Sequence, residues 1–197
     1  IRLQYNYDQR RHIGVDHFGL FGLFALLLAP LSLANLGFGD ATIKFVAEHA
    51  HTGDYHTCGL FVRTTLLLNL AMGVVCGGSI ATIGPFLATR MFHIPIADRQ
   101  LVDDCLVLVG MTWAIYQISG VFMGVPPAMQ AFRLVAVIQV VNSSVLAAAS
   151  IGAVRAGFGL YGYTAANLFA AAFGLVVWYI ASRRLIPGES FVPRLDT

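Results

Sequence analysis

The sequence predicts an all-α fold, a polytopic transmembrane helical bundle of five spans, and three observations carry that prediction. Hydrophobic residues make up 57% of the 197-residue chain and charged residues 11%, against about 25% charged in an ordinary soluble domain. So few charges cannot clothe a water-soluble globule, whereas a bilayer solvates apolar side chains directly. The apolar residues are also gathered into stretches of about 20 or more, the length a bilayer requires. Period-2 alternation, the mark of a transmembrane strand, is absent.

The spans fall at about 17–39, 60–84, 101–125, 133–154 and 158–182, within a bundle covering 17–184. A polar segment, 1–16, precedes them and lacks the apolar core of a signal peptide. A short tail, 185–197, follows. The connections carry turn chemistry: Thr52-Gly53-Asp54, then Gly84-Pro85 and Ile94-Pro95, Pro126-Pro127 at the end of the third span, Gly157 with Gly159, and Pro187-Gly188. None is long enough to fold a soluble domain. Tyr161 and Tyr163 open the fifth span and Trp178 and Tyr179 close it, as aromatic anchors at the headgroup level. Trp113 and Tyr116 lie deeper in the third span and are assigned to helix packing.

The net charge of +2 gives no signal for nucleic acid. Five crossings put the 40–59 connection, the 126–133 connection and the tail on one side, with Lys44, Arg63, Arg133, Arg183, Arg184 and Arg194. The opposite loops hold Arg90, Arg99 and Arg155. The positive-inside bias then places the C-terminus in the cytoplasm, in a multi-pass protein of the cytoplasmic (inner) membrane. The N-terminus falls outside. One further helix upstream would reconcile that with the missing signal sequence, so the chain reads as a fragment.

Within the spans, Gly73 and Gly77 form one GxxxG and Gly120 and Gly124 another, spacings that let helix backbones approach closely. Asn69 shares the face of Gly73, and Gln117 lies mid-helix in the third span. Gln139, Asn142 and Ser143 follow i, i+3, i+4 spacing in the fourth, and Thr164 and Asn167 do so in the fifth. Interhelical hydrogen bonding and a weakly polar central cavity account for these residues equally well. Asp40, Lys44 and Glu48 recur at i, i+4, i+8, a charged stripe that either faces a cavity, a partner or water or is the ion-paired cytoplasmic end of a tilted helix.

Nothing in the sequence marks a catalytic or metal centre. Glu48-His49-Ala50-His51 with His56 and Cys58 matches no zinc spacing and lies in a loop between spans. His12, His17 and His93 are ordinary surface residues near the interfaces. Cys58, Cys76 and Cys105 follow no CxxC pattern and serve as packing residues. Asp103 and Asp104 sit at a helix N-terminus, where the dipole favours acids. P-loop, HExxH and nucleophile-elbow motifs are absent. The expectation is a protein that is not an enzyme and holds no cofactor or metal.

A family resemblance follows from motifs in order along the chain. Leu33 to Asp40 (LANLGFGD), followed by Ile43 to Glu48 (IKFVAE), resembles the "dLGlg…vrfvAe" stretch ending the second helix of polysaccharide flippases. These belong to the multidrug/oligosaccharidyl-lipid/polysaccharide (MOP) exporter superfamily. Thr52-Gly53-Asp54 is similar to the family's cytoplasmic "rGD" turn. Pro85-Phe86-Leu87 with Phe92 to Pro95 (FHIP) is similar to the stretch after the third helix, and Gly120 to Phe132 (GVFMGVPPAMQAF) to the segment after the fourth. The resemblance spans most of 17–190. It implies one lobe of a MATE-like, two-lobed carrier that moves lipid-linked sugars across the membrane by alternating access, as in O-antigen export.

On that resemblance the chain holds the second through sixth helices of the N-terminal lobe. The parent chain's first helix and C-terminal lobe, the bilayer and a lipid-linked sugar are then its partners. The family often lines its cavity with several basic residues that hold phosphate. Here Lys44 and Arg63 are the candidates, joined as substrate-binding residues by Asn69, Gln117, Gln139, Asn142 and Asn167. Two alternatives stand beside this reading. One is a multidrug or cation antiporter of the same superfamily, which needs an intramembrane acid and has only Asp40 near. The other is a membrane-embedded glycosyltransferase or ligase, which needs a large external loop where this chain has about 85–100.

Overall fold

Four of the five predicted stretches form continuous helices long and apolar enough to cross a membrane. The structure, a computed structural model, describes residues 38–92 and 99–186. The predicted first span before residue 38 lies outside the described residues, as do the tail from 187 with Arg194, and His12, His17 and His93. In chain order the helices are α1 (Phe38–His51), α2 (Tyr55–Phe92), α3 (Arg99–Ala128), α4 (Phe132–Arg155) and α5 (Gly159–Leu185). The described residues contain no strand. The segments apolar enough to span are Tyr55–Leu87, Arg99–Ala128, Phe132–Ala153 and Gly159–Leu185. This is the make-up of a helical membrane protein.

One expected break does not occur. Gly84-Pro85 was expected to end the second span, yet α2 runs through Pro85 to Phe92. Pro126 and Pro127 do close α3 as expected, in its last turn, which stops at Ala128. In hydrocarbon a broken helix exposes many unpaired backbone groups, whereas a proline inside a helix forfeits one hydrogen bond each. α2 therefore persists through Pro85. The histidine segment is corrected likewise: His49 and His51 lie in the last turn of α1 and His56 in the first of α2, so little of it is loop.

Each of three tight turns ends its helix in a left-handed residue with reversed hydrogen bonds. After α1, Gly53 (φ +75°) donates to the Ala50 carbonyl and Asp54 to that of His49, at 3.2 and 3.1 Å. After α4, Gly157 (φ +82°) is followed by Phe158 donating to the Ala153 carbonyl at 3.1 Å. After α3 the left-handed residue is Gln130 (φ +56°). Its N–H reaches the Pro127 carbonyl and that of Ala131 the Pro126 carbonyl, at 3.0 and 2.9 Å.

Asp54 then caps α2, its Oδ1 accepting the Thr57 N–H at 3.1 Å. Hydrogen bonding by the Thr57 side chain, then by its backbone, holds this exposed carboxyl below its ordinary value. Its folded-state pKa is depressed, so the cap's contribution is complete above the ordinary aspartate pKa of about 3.9 and fades as pH falls through the lowered value.

Packing sets the register. α2 and α3 run antiparallel, with Gly73 against Ala114, Gly77 against Gly110 and Gly84 against Leu106. A Cβ on Gly77 would lie 2.6 Å from the Gly110 carbonyl oxygen, so the two backbones touch. α3 and α5 run parallel: the Thr164 hydroxyl donates to Cys105 Sγ at 3.7 Å and Ser182 Oγ to the Phe122 carbonyl at 2.9 Å. α3 is thus the central helix, packed on α1, α2 and α5, while α4 leans mainly on α5.

The apolar core lies at the end where the α1–α2 turn, the α3–α4 turn and the end of α5 meet. Val46, Cys58, Val62, Val125 and Ile186 are its most buried members. Phe45 of α1 stacks on Phe61 of α2 at 4.4 Å, and Tyr179 meets Phe122 edge-on at 5.3 Å. The outer face of α4 is left uncovered, with Val137 and Val140 53% and 65% exposed. Those outward side chains suit hydrocarbon and not water.

Candidate functional site: a polar cavity between three spans

Most polar side chains in the spans serve their own helix. The hydroxyls of Thr64, Ser79, Thr82, Thr112 and Ser144 each donate to the carbonyl four residues back, at 2.7–3.0 Å. Such bonds hide a hydroxyl from lipid and say nothing about a ligand. Asn69 and Asn167 do the same through Nδ2, each at 2.9 Å, to the Thr65 and Tyr163 carbonyls.

One region behaves differently. A cavity of about 150 Å³ opens between α3, α4 and α5. α3 lines it with Tyr116, Ser119 and Met123, α4 with Gln139, Asn142 and Ser143, and α5 with Ala171, Gly174 and Trp178. No lining residue is charged. Among the described residues, the buried side-chain oxygens without a hydrogen-bond partner are Asp103 Oδ1, Ser119 Oγ, Asn142 Oδ1 and Ser150 Oγ. Two of these four belong to residues of this cavity. An orphaned buried polar atom costs about 1–3 kcal/mol, so two on residues of one cavity single it out among the described residues.

The backbone adds to this. Pro127 has no N–H and cannot bond the carbonyl four residues back, which is that of Met123. Gly174 shapes the opposite wall: a Cβ there would come within 3.0 Å of Asn142 Oδ1. Ser119 lies nine residues before the end of α3, roughly 13 Å along the helix. The cavity is therefore inside the span.

Of the residues singled out from sequence, Gln139 and Asn142, with Ser143, come together here. Asn69 and Gln117 are both 6% exposed. The antiparallel register puts them at one level of the α2–α3 pair, away from the cavity lining. Asn167 is half-buried on α5, outside the lining. Lys44 is exposed on α1 and Arg63 half-buried on α2, and neither lines the cavity. Gly73 and Gly77 form the α2–α3 crossing. Gly120, expected to pack in the same way, does not: a methyl group there would meet nothing within 4 Å.

Trp178 was expected among the headgroups and is 3% exposed, because the Ala171–Gly174–Trp178 face of α5 turns inward. Tyr116 was assigned to helix packing, and Ser119 and Met123 escaped sequence reading, although the i, i+3, i+7 spacing of the three puts them on one face. Among the described residues no three His, Cys, Asp or Glu gather as a metal site.

A second groove, of about 420 Å³ between α4 and α5 towards the other end, is walled by Ala149, Gly152, Ala153, Ala165 and Phe169. It is apolar and offers no comparable chemistry. No family model, curated protein or solved structure matches the chain.

Proposed function

We propose that this chain is a lobe of a polysaccharide flippase of the MOP exporter superfamily, carrying a lipid-linked oligosaccharide or polysaccharide precursor across the cytoplasmic membrane. It makes and breaks no bond. One observation carries the reading: an uncharged hydrogen-bonding cavity is held within spans whose other polar groups mostly serve their own helices. A polar group in hydrocarbon is retained for a purpose, and passage of a hydrophilic headgroup is one that calls for such a cavity. The uncovered outer face of α4 suits a second lobe, and carriers of this design move by rocking one lobe against the other around a midplane site. Lys44, Arg63, Arg133, Arg183 and Arg184 lie towards the end of the bundle that carries the core. Their excess over Arg90, Arg99 and Arg155 supports a cytoplasmic C-terminus.

Thermal unfolding of the purified chain in detergent, with and without lipid-linked oligosaccharide, tests this. A ligand bound by the folded state alone at a hundredfold excess over its Kd stabilises by about 2.7 kcal/mol. The transition should rise with the lipid-linked sugar, and the rise should shrink in Asn142→Leu. No rise beyond that given by the bare lipid carrier sinks the reading.

A further inference from the structure

We infer that the α3–α4–α5 cavity receives neutral hydroxyl groups of the kind a sugar ring carries, and excludes both the phosphate of a lipid carrier and a metal cation. The inference rests on the flippase reading for its substrate and assigns this cavity one part of it.

The inventory of the walls decides between the three. Ser119 is 2% exposed with an unpartnered Oγ, which can donate and accept. Asn142 presents an unpartnered Oδ1, an acceptor only. A phosphate carries acceptors alone and is held by cations or convergent N–H groups. Here the donors are the neutral hydroxyls and amides of Tyr116, Ser119, Gln139, Asn142 and Ser143, with no Lys, Arg or His in the lining to balance its charge.

A hard cation wants six to eight oxygens at about 2.3–2.6 Å, commonly with carboxylates, and this lining has no Asp or Glu. The cavity, at about 150 Å³, has room for about five waters at ~30 Å³ each, far more than one bare ion. Hydroxyls donate to Asn142 Oδ1 while accepting from Ser119 and the Gln139 amide. They answer both halves of the inventory. Trp178 and Tyr116 supply ring surface for the C–H groups between them.

The test uses the full chain in a detergent without a sugar headgroup. The sequence has two tryptophans, so Trp113→Phe leaves Trp178 as the sole reporter beside the cavity. Lactose and N-acetylglucosamine at millimolar concentration should change its fluorescence saturably, and sodium chloride and inorganic pyrophosphate should not. Asn142→Leu should weaken the sugar response about tenfold, the value of one hydrogen bond of about 1.4 kcal/mol.

Gly174→Ala, which crowds Asn142 Oδ1 without removing a polar group, should weaken it too and guards against misfolding of the first variant. A response to pyrophosphate or sodium in place of sugar overturns the inference. No sugar response together with stabilisation by whole lipid-linked oligosaccharide also overturns it while the flippase reading stands. Loss of both responses removes the two together.

Discussion

Gly77→Ala and Gly110→Ala are each expected to destabilise the protein by more than the 1–3 kcal/mol that about one excess methylene costs in a packed core. The reason is the kind of atom in the way. A Cβ on Gly77 meets the Gly110 carbonyl oxygen at 2.6 Å, and one on Gly110 meets the Gly77 carbonyl oxygen still closer. A side chain could swing aside, but a helical carbonyl cannot, so α2 and α3 must separate along their whole crossing. Gly73, next along the seam at 3.2 Å from the Ala114 carbonyl oxygen, is one step less severe.

The neighbouring Gly78 supplies the control, since a Cβ there meets nothing within 4 Å. Gly78→Ala should be neutral, or stabilising by up to about 1 kcal/mol through helix propensity. Thermal unfolding in detergent reads all of them. Equal behaviour of Gly77→Ala and Gly78→Ala would contradict the crossing.

The second large effect concerns Ser182. Pro126 cannot donate to the carbonyl four residues back, that of Phe122, and Ser182 Oγ of α5 donates to it instead at 2.9 Å. The Ser182 side chain is fully buried and Phe122 is 3% exposed, so water cannot substitute. Ser182→Ala should cost about 1 kcal/mol, the net worth of one buried hydrogen bond.

Pro126→Ala restores the helical N–H, and in that background Ser182→Ala should cost little. The coupling between the two is the readout, and a double-mutant cycle on unfolding isolates it. Additive losses would mean that the serine serves some other purpose. The link also ties α3 to α5 beside the cavity they share, so the cycle tests how the cavity is held.

How much of this was legible follows from the kind of signal each feature leaves. The spans announced themselves because hydrocarbon demands long apolar runs, and α2 to α5 lie within a few residues of their predicted bounds except where α2 extends past Pro85 to Phe92. Gly53 and Gly157 marked their turns because left-handed backbone favours glycine. Gln130 takes the same conformation and left no mark. The prolines divided: Pro126 and Pro127 mark the end of α3, whereas Pro85 read as a chain break, yet the cost of opening a helix in lipid outweighs the bond it removes.

At the site, Gln139 and Asn142 were readable as a polar face of one helix. Ser119 was not, because a serine in an apolar helix more often bonds its own backbone, as Ser144 does. Only the packing of α3 on α5 shows that its Oγ has nowhere local to turn. Trp178 was misplaced for a similar reason: proximity to a span's end says where a ring lies along the helix but not which way it faces.

Water access across α4 tests the central claim most directly, that these helices lie in hydrocarbon around a polar cavity. In a background with Cys58, Cys76 and Cys105 replaced by Ala, a membrane-impermeant maleimide is applied to intact vesicles carrying Asn142→Cys or Val140→Cys. Asn142 lines the cavity and Val140 is 65% exposed on the same helix, outside the lining. Position 142 should label in intact vesicles, and position 140 only after the membrane is dissolved and the chain denatured. Equal labelling of both positions in intact vesicles would place α4 in water, and labelling of neither would leave the cavity closed to solvent; each result contradicts the account.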